Sequence, residues 1–115
     1  MTAPIDMPAL ARDFAGDTAT IRRLLGIFLK DALRYRVALR EAAAAGDAEA
    51  VYRIAHALKG NLGVLRAQEA HADARSVELA ARDGAIDRES VGRLDTAIGG
   101  VVAFIQEQVG SSAQG

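Results

Sequence analysis

Residues 17–47 read DTATIRRLLGIFLKDALRYRVALREAAAAGD. Within them Ile21, Leu24, Leu25, Phe28, Ala32, Tyr35, Leu39 and Ala43 recur at steps that place side chains on one face of an α-helix. Asp17 offers a carboxylate to the free amides of the first turn. Gly46 is the residue type that most readily takes the left-handed conformation at a helix end, and Asp47 caps a new helix immediately. The stretch therefore predicts one long amphipathic helix and a tight turn, which forces the next helix to run back beside it.

The same punctuation repeats on both sides. Upstream, Pro8 suits the first turn of a short helix ending near Phe14, where no amide donor is needed, and Ala15-Gly16 breaks it. Downstream, a third helix carries Val51, Ile54, Ala55, Leu58, Leu62 and Leu65 on one face. An Ala-rich fourth follows, with Ala70, Ala74, Val77 and Ala81 inward and Gly84 at its end. The last helix starts at Asp87, with Ile86 and Val91 spaced as a hydrophobic staple. Its stripe is Val91, Leu94, Ile98, Val101, Val102, Ile105 and Val109. No alternating run long enough for a sheet occurs. The predicted fold is all-α, an up-and-down antiparallel four-helix bundle with a short extra N-terminal helix. Residues 1–110 are expected to form the domain and 111–115 a flexible tail.

Composition agrees with this reading. Of 115 residues, 25 are Ala and five are aromatic, which favours closely packed helices over strands. The formal net charge of −1 offers no broad basic field for nucleic acid or an anionic membrane. The lack of Cys excludes disulfides, thiol nucleophiles and the common structural zinc sites. No run approaches the ~20 apolar residues of a membrane span, and no secretion-signal pattern opens the chain, so a cytoplasmic monomer is expected.

One face of the third helix departs from what stability alone selects. On a helical wheel His56 lies ~140° from the centre of the apolar stripe. Around it fall Tyr52, Lys59, Gly60, Gly63 and Ala67. Each Gly inside a helix costs ~1 kcal/mol relative to Ala, in a chain that uses Ala freely. Two such glycines on the face that holds the His indicate close approach of another body. A neutral imidazole is a nucleophile, Lys59 one turn along can meet the roughly two negative charges of a phosphoryl group, and bare backbone admits a partner. His71 is the contrast: no glycine clears space beside it, and it reads as a solvated surface residue.

Residues 52–67, YRIAHALKGNLGVLRA, resemble the core motif of histidine-containing phosphotransfer (HPt) domains, H-x-L-K-G followed by a Gly and then a Leu. His56, Leu58, Lys59, Gly60, Gly63, Leu65 and Ala67 stand at matching positions, and the likeness extends back through residues 28–60. It implies a phosphorelay intermediate in which His56 takes a phosphoryl group from a sensor histidine kinase or a receiver-domain aspartate and passes it to another response-regulator receiver domain. It implies no cofactor, no metal and no nucleotide site of its own, whether the domain stands alone or belongs to a hybrid kinase. Glu78 matches a position where some members carry Gln or Glu, and there it would orient the imidazole through Nδ1. Arg82, one turn later, would face the phosphate or the partner. Where members often have a second Gly this chain has Arg66, which would add charge near the phosphate, contact the partner's acidic rim or simply be solvated. Tyr52, Gly60, Gly63, Arg66, Ala67 and Arg82 are the expected docking residues, with the small side chain of Ala57 beside them.

Other chemistries lack their residues. KGNLG is not a P-loop, no inward Glu-x-x-His pair suits a di-iron bundle, zinc hydrolase spacing is absent, and no Ser lies near His56 for acyl transfer. The alternative function is a non-transferring helical interaction module that binds and inhibits a receiver or kinase.

Overall fold

Aspartates open four of the five helices. In the computed structural model, which describes the backbone of residues 3–114 and the side chains of residues 3–109, Asp6 accepts from the Ala9 amide and begins α1 (Met7–Asp13). Asp17 accepts from Thr20 and begins α2 (Thr18–Ala44), and Asp47 accepts from Ala50 and begins α3 (Ala48–Val64). Asp87 accepts from Ser90 at the start of α5 (Arg88–Gln114). Only α4 (Gln68–Arg82), capped by Ala67, starts without a side-chain acceptor. Each bond satisfies an amide that has no partner inside its own helix.

The ends are as economical. Gly46 and Gly84 take φ +71° and +84°, and the amides that follow them reach back to Ala42 and Ala80, closing α2 and α4 by the Schellman pattern. The α3–α4 turn has the same bonds, Arg66 N–H to Gly63 and Ala67 N–H to Leu62, but its left-handed residue is Arg66 at φ +59°. Arg66 occupies the turn and its guanidinium pairs with Asp13 of α1 at 2.7 Å and 2.9 Å. It is tied to the domain's own first helix while its side chain stays 43% exposed.

Helices α2 to α5 form a ring in which each packs on its chain neighbour and α5 closes on α2, with α3 and α4 the closest pair. No strand occurs among the described residues. The core holds Leu25, Leu39, Val51, Ala55, Leu58, Leu62, Leu94, Ile98, Val101 and Ile105, largely the residues of the sequence stripes. Leu24, Tyr35, Ile54, Val102 and Val109 sit at its edges, partly buried. Asp95 of α5 accepts from Arg36 and Arg40, fixing α2 against α5, and a Cβ at Gly99 would come within 3.2 Å of the Arg36 guanidinium.

At 27 residues each, α2 and α5 run to about 40 Å, well beyond the 17 residues of α3 and 15 of α4. The short α1 and Ile5 cover the end of the bundle left open: Ile5 and Leu10 are buried, and Asp6 N–H donates to the Arg66 carbonyl at the α3–α4 turn. Helix α5 continues as backbone to Gln114, into the segment 111–115 for which the sequence favours a loose tail. The side chains of that segment, and residue 115 altogether, lie outside the described residues.

Candidate functional site

Helix α3 is anchored to the core through Val51, Ala55, Leu58 and Leu62, so its opposite face points away from the bundle. His56 stands there in mid-helix with its side chain 62% exposed. Its Nδ1 lies 2.5 Å from Oε2 of Glu78, reaching across from α4. The other carboxylate oxygen, Oε1, accepts from Lys59 Nζ at 2.8 Å. Glu78 is buried, although it lies on a helix of mostly small core residues, and both its oxygens are occupied. Among the described residues no buried side-chain nitrogen or oxygen lacks a partner.

The electrostatics follow from this three-residue network. The Lys59 hydrogen bond holds the Glu78 carboxyl below the ordinary glutamate range; burial pushes the other way, and the His56 hydrogen bond adds to the lowering. A carboxylate can only accept. The hydrogen shared with it therefore belongs to Nδ1, and in the neutral imidazole the lone pair belongs to Nε2, on the ring edge away from Glu78. Lys59 spends one of its three N–H donors on Glu78 and keeps a side chain 29% exposed beside the ring. Tyr52, one turn earlier on α3, stacks along His56 with ring centroids 5.9 Å apart and planes within 16°.

Two pairs across the α3–α4 groove fix its register. His56 meets Glu78, and seven residues further along α3 Gly63 meets His71, seven residues back along α4. A Cβ at Gly63 would lie 3.3 Å from His71 Cδ2. The half-buried His71 ring thus packs beside Gly63, which corrects the reading that no glycine clears space for His71; Gly63 itself remains exposed. Gly60 keeps the expected character: it is exposed, and a Cβ there would meet nothing within 4 Å. By the same register Arg82 stands opposite Tyr52, exposed at the end of α4.

Ala67 does not belong to this face. It is fully buried, because α3 ends at Val64 and the left-handed Arg66 turns the chain before the wheel can carry residue 67 outward. Ala57 is exposed, as expected. Among the described residues no group of His, Cys, Asp and Glu has the arrangement of a metal site, and no helix is long and apolar enough to cross a membrane. The sequence reading misses the Tyr52 stack, although the Tyr sits four residues before the His, the spacing at which helical side chains meet.

A family model described as Hpt domain matches residues 23–104. Among solved structures, the crystal structure of histidine-containing phosphotransfer protein B (HptB) from Pseudomonas aeruginosa PAO1 superposes with a TM-score of 0.83 at 23% identity, over 94% of this chain and 96% of that one. At that identity the likeness speaks for the fold. No curated protein sequence matches the chain.

Proposed function

This chain belongs to the Hpt domain family, the histidine phosphotransfer carriers of phosphorelays, and we propose that it carries the phosphoryl group on Nε2 of His56. The observation that supports this reading is the exposed imidazole whose Nδ1 is held by the buried, ionised Glu78, so that Nε2 alone is presented to a partner.

The Nε2 lone pair attacks the phosphorus of a receiver's aspartyl phosphate. An N–P bond forms, the P–O bond to the aspartate breaks, and its electron pair leaves with the carboxylate. The ring becomes a phosphoryl-imidazolium that keeps its Nδ1 hydrogen, and its positive charge develops against the Glu78 carboxylate. In the return step a carboxylate oxygen of the next receiver's aspartate attacks the phosphorus, a P–O bond forms as the P–N bond breaks, and the P–N electron pair returns to Nε2. The neutral imidazole keeps its Nδ1 hydrogen throughout, so no proton is lost or gained. Lys59 turns its remaining donors toward the phosphoryl oxygens. Gly60 and Ala57 present little side chain, which lets a receiver's loops approach for in-line transfer.

Receiver domains and histidine kinases are the partner classes of the family; for this chain the reading specifies a receiver docking over His56, Gly60 and Ala57, with Arg82 at the rim and residues 1–110 as the carrier domain. The test is uptake of label from a phosphorylated receiver by the wild type and by His56→Gln. The wild type takes up an acid-labile, base-stable label and the variant, folded because its side chain points outward, takes up none. A variant that still labels refutes the assignment. A wild type that binds the receiver but never labels favours the non-transferring interaction module instead.

A further inference from the structure

We propose that Tyr52 is a positioning residue for the transfer: its ring lies along the His56 imidazole and fixes the plane that contains the Nε2 lone pair. The inference rests on the carrier reading of His56 and concerns what sets the direction of attack.

Terminal ring torsions of His are broad and roughly two-fold, so an exposed imidazole on a helix has no intrinsic reason to keep one plane. The Glu78 hydrogen bond selects Nδ1 as the inward atom, but hydrogen bonds tolerate tens of degrees of tilt. Tilt about Nδ1 swings Nε2, and the lone pair used in attack lies in the ring plane. A second restraint that acts on the plane rather than on one atom removes that freedom. Tyr52 has the geometry for it: centroids 5.9 Å apart and planes 16° from parallel is an offset stack. Helical side chains lean toward the N-terminus, so His56 tips back onto Tyr52. The Tyr ring is itself partly buried and packs on the core edge, and so gives a firm surface to lean on. The line of attack then runs parallel to the Tyr52 face. Small misplacements of a reacting atom cost much rate in such transfers, on the order of 100-fold per ångström in severe cases.

The alternative role is docking, in which Tyr52 touches the partner. The two roles separate in kinetics. Transfer from a phosphorylated receiver is followed over a range of receiver concentrations for the wild type, Tyr52→Phe and Tyr52→Leu. Leu keeps apolar bulk and helix propensity but offers no flat face. The Leu variant is expected to lose about threefold to tenfold in the rate at saturating receiver, the worth of one aromatic pair, with the half-saturating concentration unchanged. Phe restores the wild-type rate. A raised half-saturating concentration with an unchanged saturating rate marks a docking residue and overturns the proposal, as does a Leu variant equal to the wild type in both. A wild type that takes no label overturns the carrier reading and this inference together, whereas a wild type that labels beside an unaffected Leu variant sinks only the latter. Should the Leu variant not fold, the wild type alone decides by ring-proton cross-relaxation in solution: contact between the Tyr52 and His56 rings supports the stack, and its absence overturns it.

Discussion

Glu78 on α4 accepts from His56 Nδ1 with one carboxylate oxygen and from Lys59 with the other, so a single buried acid holds both the imidazole and the ammonium of the proposed carrier site. Gln at this position has one acceptor oxygen where Glu78 uses two, so in this geometry it keeps only one of the two donors. One of them must turn to water or face an amide N–H. Hydrogen bonds to charged groups contribute about 1.5–3 kcal/mol, so Glu78→Gln is expected to slow label uptake roughly tenfold or more and to lower folding stability by about 1–2 kcal/mol. Uptake rates and urea denaturation measure the two effects. A Gln variant with wild-type rates would remove Glu78 from the mechanism.

Lys59→Ala tests the other arm. It removes the hydrogen bond that does most to hold the Glu78 carboxyl low while leaving the His56 bond, and the imidazole stays oriented. The kinetic loss should therefore fall on the phosphoryl group: slower transfer in both directions and a shorter phosphohistidine lifetime, with about 1.5–3 kcal/mol of stability lost because the buried carboxylate gives up a charged donor. Lifetimes of isolated labelled protein and single-turnover transfer separate these. Unchanged kinetics in both directions would leave Lys59 a structural partner of Glu78 and nothing more.

The depressed Glu78 carboxyl also makes a pH statement. A group whose folded pKa lies below its unfolded value adds stability at pH values above the unfolded value, and that contribution is lost as pH falls through the folded one. The stability difference between wild type and Glu78→Gln should be constant near neutrality and shrink below about pH 4, where an unperturbed glutamate protonates. Denaturation of both proteins at pH 7 and at pH 3.5 to 4 measures it. A gap that widens on acidification would mean that burial, which pushes the carboxyl up, outweighs the Lys59 and His56 bonds.

The bundle was legible because each helix announces itself twice, by an apolar stripe and by an Asp or Gly at its end. His56 was legible because its wheel position opposes the buried Val51 and Leu62, and Lys59 because it follows the His by one turn at the edge of the same face. The wheel failed where the helix stopped. Ala67 lies on the His face only if α3 continues, and Arg66 at φ +59° ends it first. What one helix donates to another was beyond a single-helix reading: Gly63 makes room for His71 of α4, and Arg66 reaches Asp13 of α1, contacts set by tertiary register. The identity of Glu78 as the orienting acid came from resemblance, since an acid among the small residues of α4 carries no periodic signal of its own.

The two glycines of the motif now part company, and substitution can show it. At Gly60 an added methyl meets open space, so Gly60→Ala should gain most of the ~1 kcal/mol by which Ala exceeds Gly inside a helix. At Gly63 the methyl would sit 3.3 Å from the His71 ring, which must give way by a few tenths of an ångström, so Gly63→Ala should gain less or nothing. The functional order is the reverse of a uniform docking face. Gly60→Ala places its methyl where a receiver approaches His56 and should raise the half-saturating receiver concentration, while Gly63→Ala, turned toward α4, should leave it unchanged. Denaturation midpoints and transfer kinetics on both variants suffice. If Gly63→Ala impaired receiver binding more than Gly60→Ala, the partner would have to dock over the α3–α4 groove, and the placement of the receiver over Gly60 would be wrong.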